Sequence, residues 1–152
     1  MTPLEIVQAR WQGNAHNAAA MTVPYFELVN LNVDLDAMPD VWGGLLCQPE
    51  GDNDITMGSQ PWVLEHGIFV VGLFAKSGQG PAALDGAVAE LKAAFHGWGS
   101  DGLEIKRVDG PLDIDPAAEG NWWRLALTMT YERKYRRNAT GAGFGDRQGL
   151  AA

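Results

Sequence analysis

Residues 62–75 read WVLEHGIFVVGLFA. Apolar side chains occupy both alternating sets of positions in this run, so neither face of a strand built from it can be left to water. We therefore expect a strand at the centre of a sheet, covered by helices on one side and by something else on the other. Because the chain is short, a second subunit is a candidate for that second cover.

Composition and length predict one globular domain. The chain has 152 residues, of which 46% are hydrophobic and 20% are charged, and this is enough for one core. No apolar run approaches the roughly 18–20 residues that cross a bilayer, and residues 1–5 lack the basic region and apolar stretch of a secretory signal. We expect synthesis in the cytosol and no membrane partner. The single cysteine, Cys47, excludes an internal disulfide and a cysteine-rich metal site.

Charge divides the chain into an acidic body and a basic end. Residues 1–132 carry 18 acidic and 6 basic side chains, whereas residues 133–152 carry 5 basic and 1 acidic. An acidic body argues against a surface that grips nucleic acid, because phosphate binding needs the opposite sign. The basic cluster is predicted to bind an acidic partner, with a solvated tail as the open alternative. Its members are Arg133, Lys134, Arg136 and Arg137.

Local signals predict the order of helices and strands. Thr2, Pro3 and Glu5 match a capping box with proline at the first helical position, and a helix is expected from there to about residue 20. A second helix begins at Pro81 and places an apolar stripe on one side. The other predictions are an extended piece at 27–33, strands at 41–48, 62–75 and 103–108, a long exposed loop at 50–61 and a loop at 110–120. A last strand alternates from residue 123, with one face in the core and the other facing solvent or a partner.

These elements predict an α+β fold, in which a mostly antiparallel sheet carries two α-helices on one face. A single domain is expected over residues 1–137, followed by a flexible glycine-rich tail at 138–152. Adjacent Trp122 and Trp123 point to opposite faces of the last strand, so one of them is expected outside the subunit's own core. A subunit interface and a covering loop are both open explanations.

Motifs for catalysis or cofactor binding are weak. Gly78-Gln79-Gly80 lies where a phosphate-binding loop would lie, but no Lys-Ser/Thr pair follows, and a plain turn is favoured. Cys47 with His66 and an aspartate is conceivable as a nucleophilic site, but Cys47 lies in an apolar strand and is better explained as a core residue. The acidic runs at 52–54 and 109–119 lack the spacing of a calcium loop. We therefore predict no catalytic residue, no cofactor and no metal.

A succession of features spans residues 21–137, more than two thirds of the chain. In order they are a lead-in at 24–30, a strand with Val41-Trp42, a loop with Thr56 and Gly58, Glu65-His66-Gly67 before the apolar strand, Gly78-Gln79-Gly80 before a helix ending in Phe95, and a last strand starting at Gly120-Asn121-Trp122. In this order and spacing the chain resembles the phage tail terminators, small proteins that close the head-proximal end of a long tail tube. Gene transfer agents and defective prophages use similar proteins.

The resemblance implies a structural virion protein, assembled in the host cytoplasm, that forms a hexameric ring around a channel at the head-proximal end of the tail. Such proteins carry no catalytic residues, and their loops reach the major tail tube protein on one side and the head-completion or stopper protein on the other. An acidic channel wall would let DNA pass without specific binding, since like charges repel. The interface residues that we predict are Asp52, Asp54, Thr56, Met57, Trp122, Arg133, Lys134, Arg136 and Arg137.

Two other classes of protein remain as alternatives. One is another head–tail connector component, namely a stopper or a head-completion protein. The other is a small ligand-binding or enzymatic domain. Size in solution separates the leading prediction from the last one, because a ring subunit is expected to form hexamers, whereas an enzyme of this length is more often a monomer or a dimer.

Overall fold

The structure is a computed structural model that describes residues 2–28, 38–58, 60–76, 81–111, 114–116 and 122–136. Within these ranges lie two helices, α1 (Pro3–Gln12) and α2 (Pro81–Phe95). The strands in the same ranges are β1 (Val41–Asp54), β2 (Trp62–Lys76), β3 (Gly99–Ser100), β4 (Leu103–Asp109), β5 (Ile114–Pro116) and β6 (Trp122–Arg136). The α+β fold is as predicted.

One antiparallel sheet holds these strands in the order β1-β2-β6-β4-β3, with β5 paired to β6. β2 pairs with β1 on one side and with β6 on the other along almost its whole length. The prediction that residues 62–75 form an interior strand is therefore confirmed. Pairing covers only the two edges of β2, so its apolar character on both faces calls for cover above and below the sheet.

Both helices pack on one face of the sheet, which we call the helix-side face. Phe69, Val71 and Leu73 of β2 are fully buried there. The predicted stripe of α2 is buried in the same cluster, and the alternation predicted for the last strand is confirmed. The helices and β6 contribute Ile6, Val7, Trp11, Leu84, Ala87, Val88, Leu91, Ala94, Phe95, Leu125, Leu127, Met129 and Tyr131.

The opposite face, which we call the outer face, is covered at one end by the chain itself. Trp42 is 1% exposed and stacks on Phe74 with ring centroids 4.2 Å apart. Leu28 packs against Gly44, where a Cβ atom would lie 2.3 Å from the carbonyl oxygen of Phe26. Only glycine fits such a close approach. This small second cluster covers part of the outer face of β2.

Helix α1 is shorter than predicted. Its capping box is present, since Thr2 Oγ1 accepts a hydrogen bond from the Glu5 N–H at 3.2 Å and Glu5 Oε1 accepts one from the Thr2 N–H at 2.8 Å. The helix nevertheless ends at Gln12 rather than near residue 20, because Gly13 has φ of 76° and the chain folds back on it. A Cβ atom at Gly13 would lie 2.5 Å from the backbone nitrogen of Ala19.

Two segments predicted as loops contain strands. Residues 50–54 continue β1, and Ile114–Pro116 forms β5 inside the predicted 110–120 loop. In both places, pairing with a long neighbouring strand overrides the low strand propensity of glycine, aspartate and proline. The predicted extended piece at 27–33, Gly78-Gln79-Gly80 and the tail at 138–152 lie largely or wholly outside the described residues.

Candidate functional site

Three strands run past the helices at one end of the sheet. The core cluster reaches Cys47 on β1, Phe69 on β2 and Tyr131 on β6, and it contains no described residue of these strands nearer the β1–β2 connection. We call this protruding part the extension. At about 3.3 Å per residue it is about 15 Å long. It comprises residues 51–54, 62–66 and 132–136, together with loop residues 55–58 and 60–61. Its first rows lie beside Leu103 of β4, a core residue that pairs with Arg133.

A bulge in β1 sets the direction of the acidic side chains in the extension. The register of β1 against β2 slips between Pro49 and Gly51. One extra residue reverses the alternation of side chains, because adjacent residues of a strand point to opposite faces. Asp52 and Asp54 therefore lie on the helix-side face, whereas a regular strand would have placed them on the outer face.

The helix-side face of the extension is acidic. Asp52 pairs with Glu65, which in turn pairs with Arg133. The hydroxyl of Tyr135 donates a hydrogen bond to Asp52 Oδ2 at 3.2 Å, and the Arg133 guanidinium lies 5.2 Å from the centroid of the Tyr135 ring. With Asp54, this face carries three carboxylates and one guanidinium. Asp52 and Asp54 are exposed.

Tyr131 connects the core to the extension. Its hydroxyl donates a hydrogen bond to Glu65 Oε2 at 2.6 Å, and burial together with this bond raises the pKa of Tyr131, so the hydroxyl stays protonated. Cys47 Sγ lies 3.8 Å from the same hydroxyl, and burial raises the pKa of the thiol, which disfavours the reactive thiolate. His66 lies on the outer face, so the structure does not bring Cys47 and His66 together.

The outer face of the extension is basic towards the tip, whereas nearer the body it carries Glu132, which pairs with His66 and lies 3.2 Å from Lys106 Nζ. Lys134 pairs with Leu64, and Arg136 pairs with Trp62. Arg136 Nε donates a hydrogen bond to the carbonyl oxygen of Gln60 at 3.2 Å, and its guanidinium lies 6.0 Å from the centroid of the Trp62 ring. Both cations are exposed. The two faces of the same three strands thus carry opposite charge.

The tip of the extension combines a closed turn with exposed apolar side chains. Thr56 Oγ1 accepts a hydrogen bond from the Trp62 N–H at 2.7 Å, and the Ile55 N–H donates to the Trp62 carbonyl oxygen at 2.8 Å. Above this closed base Met57 is 98% exposed, Ile55 47% and Trp62 43%. Large apolar side chains at this exposure in one place are typical of an interaction site.

A second apolar surface lies on the outer face of the body. Leu46 pairs with Val70 and so lies one row away from Ile68, and all three side chains are only half-buried. In the described part of the chain they belong to neither buried cluster. Thr128 and Thr130 continue these rows on β6. We call Leu46, Ile68 and Val70 the outer patch.

The structure gathers most of the predicted interface residues in the extension. Asp52 and Asp54 lie in β1 rather than in the predicted loop, because β1 continues to Asp54. Trp122 is separated from the rest, since it pairs with Lys76 at the far end of β6. Arg137 lies outside the described residues. The predicted residues that lie together are Asp52, Asp54, Thr56, Met57, Arg133, Lys134 and Arg136.

Sequence reasoning missed the outer patch and the role of Glu65. A signal for the patch was present, because Trp42, Gly44 and Leu46 share one side of a strand and β2 is apolar on that side as well. Glu65 is a single carboxylate in an apolar strand, and beyond Phe69 no described residue of β2 towards the tip belongs to the main core cluster. Both signals needed the strand pairing before they could be interpreted.

Other sites in the described residues offer less. No group of three or more histidine, cysteine, aspartate or glutamate side chains is placed there to hold a metal. An open groove of about 420 Å³ lies between α1 and residues 98–101. Its Arg10 is already engaged, because Nε and Nη2 donate to the Ala94 carbonyl oxygen at 3.0 and 2.8 Å and the guanidinium lies over Trp98.

Comparisons with known proteins leave the geometry as the basis for assigning function. Scans of the sequence against protein-family models and against curated proteins found no match. No helix in the described ranges is long and apolar enough to span a membrane.

Proposed function

We propose that this chain is a structural subunit of a ring that ends and caps the head-proximal end of a phage-like tail tube and joins it to the head. In this proposal it is a tail terminator, assembled in the host cytoplasm and carried in the virion. It has no catalytic role. Its partners are further copies of itself, the major tail tube protein and a head-completion or stopper protein.

The outer patch is the observation that carries the proposal. Leu46, Ile68 and Val70 form a continuous apolar surface on a sheet face that the described chain covers only at its other end. Leaving such a surface in water costs about 25 cal/mol for each Å² of apolar area. A neighbouring copy in a closed ring removes that cost for every subunit at once, because a heterologous contact that closes leaves no unpaired patch.

The extension supports a role in joining different proteins. The extension has an exposed apolar tip at Met57. In a ring, this tip can contact a partner above or below without disturbing the packed body. Polar and charged side chains around an apolar centre are the usual anatomy of a protein interface. The acidic body further supports passage of DNA through the ring without specific binding, since both carry negative charge.

Electron microscopy of particles that lack this gene product tests the proposal. We expect tails of uncontrolled length, or complete tails that fail to join heads. Adding the purified chain to such tails should restore a closed end and head joining. Normal tail length with heads attached would contradict the proposal. Binding to heads but never to tube ends would instead favour a stopper or head-completion role.

A further inference from the structure

The extension carries opposite charges on the two faces of one thin sheet. Its helix-side face has three carboxylates against one guanidinium. Its outer face has Lys134 and Arg136 exposed beside Trp62, against one carboxylate, Glu132, which is paired with Lys106. Val63 on the helix-side face is fully buried. Asp52 and Asp54 on that face and Lys134 and Arg136 on the outer face are nevertheless exposed, so the charged side chains of both faces are accessible. A surface that is acidic on one side and basic on the other is complementary to a second copy of itself.

We propose that neighbouring copies pack extension on extension, with the acidic helix-side face of one copy lying on the basic outer face of the next. This inference rests on the proposed ring and names the contact that builds it. Like-with-like packing would bring carboxylate against carboxylate or cation against cation, and such juxtaposition is strongly unfavourable. The contact is therefore heterologous, with each copy using two different surfaces, and a contact of this kind closes into a ring when the rotation allows.

The outer patch extends this contact into the body. Leu64 lies on the same face as Ile68 and Val70, next to Lys134. A copy seated on the basic face therefore also approaches the apolar rows. Charge then determines which face of one copy packs on which face of the next, while the outer patch supplies the buried apolar area.

The β1 edge of the sheet, which Tyr25 bridges at Gly43, disfavours one other way to join copies. β1 is an edge strand, and a neighbouring sheet could in principle continue from it. Its protruding half contains Pro49, which has no N–H to donate, a register slip at Gly51 and the charged side chains of Glu50, Asp52 and Asp54. Proline, bulges and charges are the devices that keep edge strands from pairing. Face-to-face packing avoids all three.

Charge reversal on one face at a time tests this contact. The first variant combines Asp52→Lys with Asp54→Lys, the second combines Lys134→Glu with Arg136→Glu, and the third carries all four changes. Self-association is measured by sedimentation velocity at low and high salt. Each single-face variant is expected to weaken self-association about 30-fold or more, because it places like charges together. The third variant alone, and an equimolar mixture of the first two, should assemble as the original chain does.

The matched control reverses one charge of each sign away from the extension. Asp85→Lys with Lys92→Glu changes two exposed residues of α2 and should leave self-association unchanged. Circular dichroism of every variant verifies that the fold is intact. The mixture tests the same complementarity as the third variant, but each chain in it carries only two changes. Assembly of the first or second variant alone at the original affinity would overturn the inference, as would failure of both the third variant and the mixture.

The outcomes separate this inference from the proposed function. A ring that forms normally from both single-face variants leaves the proposed function in place and refutes the contact. Pairing of the two variants in the mixture, together with tube ends that the original chain never caps, supports the contact and refutes the proposed function.

Discussion

The hydroxyl of Tyr131 donates a hydrogen bond of 2.6 Å to Glu65 Oε2, at the row where the packed core gives way to the charged extension. Tyr131 is fully buried, whereas Glu65 is half-buried and faces Asp52 and Arg133 across the neighbouring strands. The bond therefore ties the carboxylate that begins the acidic face to the core beneath the helices. Because the extension is anchored in this way, its charged side chains can be held in a fixed direction.

Replacing Tyr131 with phenylalanine should destabilise the fold. The change removes a donor to a carboxylate that is partly withdrawn from water, and we expect the free energy of unfolding to fall by about 1–3 kcal/mol in urea. Tyr135→Phe is the matched control, because that hydroxyl bonds exposed Asp52 at 3.2 Å and its loss should cost under about 1 kcal/mol. Equal losses in the two variants would contradict this role for Tyr131.

Stability should decline at high pH. Burial raises the pKa of Tyr25 in the folded chain, and the nearby charge of Glu27 raises it further. Burial also raises the pKa of Tyr131, and the hydrogen bond to Glu65 adds to this effect. An unfolded tyrosine ionises at about pH 10. The contribution of these residues is therefore complete below about pH 10 and is lost above it, by up to about 1.4 kcal/mol per pH unit for each tyrosine. Unfolding free energies measured between about pH 8 and pH 12 should show a shallower decline for Tyr131→Phe.

Two glycine-to-alanine changes should have opposite effects. At Gly44 a Cβ atom would lie 2.3 Å from the Phe26 carbonyl oxygen, so Gly44→Ala should reduce the free energy of unfolding by about 1–3 kcal/mol. Gly86 lies in α2 with nothing within 4 Å of a Cβ atom, and Gly86→Ala should add about 0.5–1 kcal/mol. Thermal or urea unfolding of the two variants checks this, and an unchanged free energy of unfolding for Gly44→Ala would contradict the close approach of the Phe26 carbonyl oxygen to Gly44.

A charge in the outer patch should prevent assembly without unfolding the subunit. Val70→Lys keeps the buried helix-side face intact, and a lysine at a half-buried position can extend into solvent in the monomer but not beneath a neighbour. We expect self-association to weaken at least about tenfold, measured by light scattering after size-exclusion chromatography. Ala89→Lys on the exposed side of α2 is the control. Assembly of Val70→Lys at the original affinity would exclude the outer patch from the interface.

Elements with strong local signals could be predicted from the sequence, and those defined by pairing could not. The capping box fixed the start of α1, and the double apolar character of 62–75 fixed an interior strand. The end of α1 had a local signal in Gly13, since glycine is typical of helix C-caps, but the predicted helix passed over it.

The candidate site shows the same division. Asp52, Asp54 and Lys134 could be recognised as surface residues from their charge, but their division between the two faces of the sheet could not. It depends on the bulge after Pro49 and on the pairing of β2 with β6, which are long-range properties of the sheet. The side of the sheet on which a charge lies therefore became known only with the register.

Imaging the purified chain bound to tail tube ends by cryo-electron microscopy, with the number of copies counted, decides whether this polypeptide is a ring subunit. We predict six copies in a closed ring at one end of the tube. The acidic helix-side face of each copy's extension should lie on the basic outer face of its neighbour's extension. Single copies or pairs in solution, together with bare tube ends, would contradict this assignment.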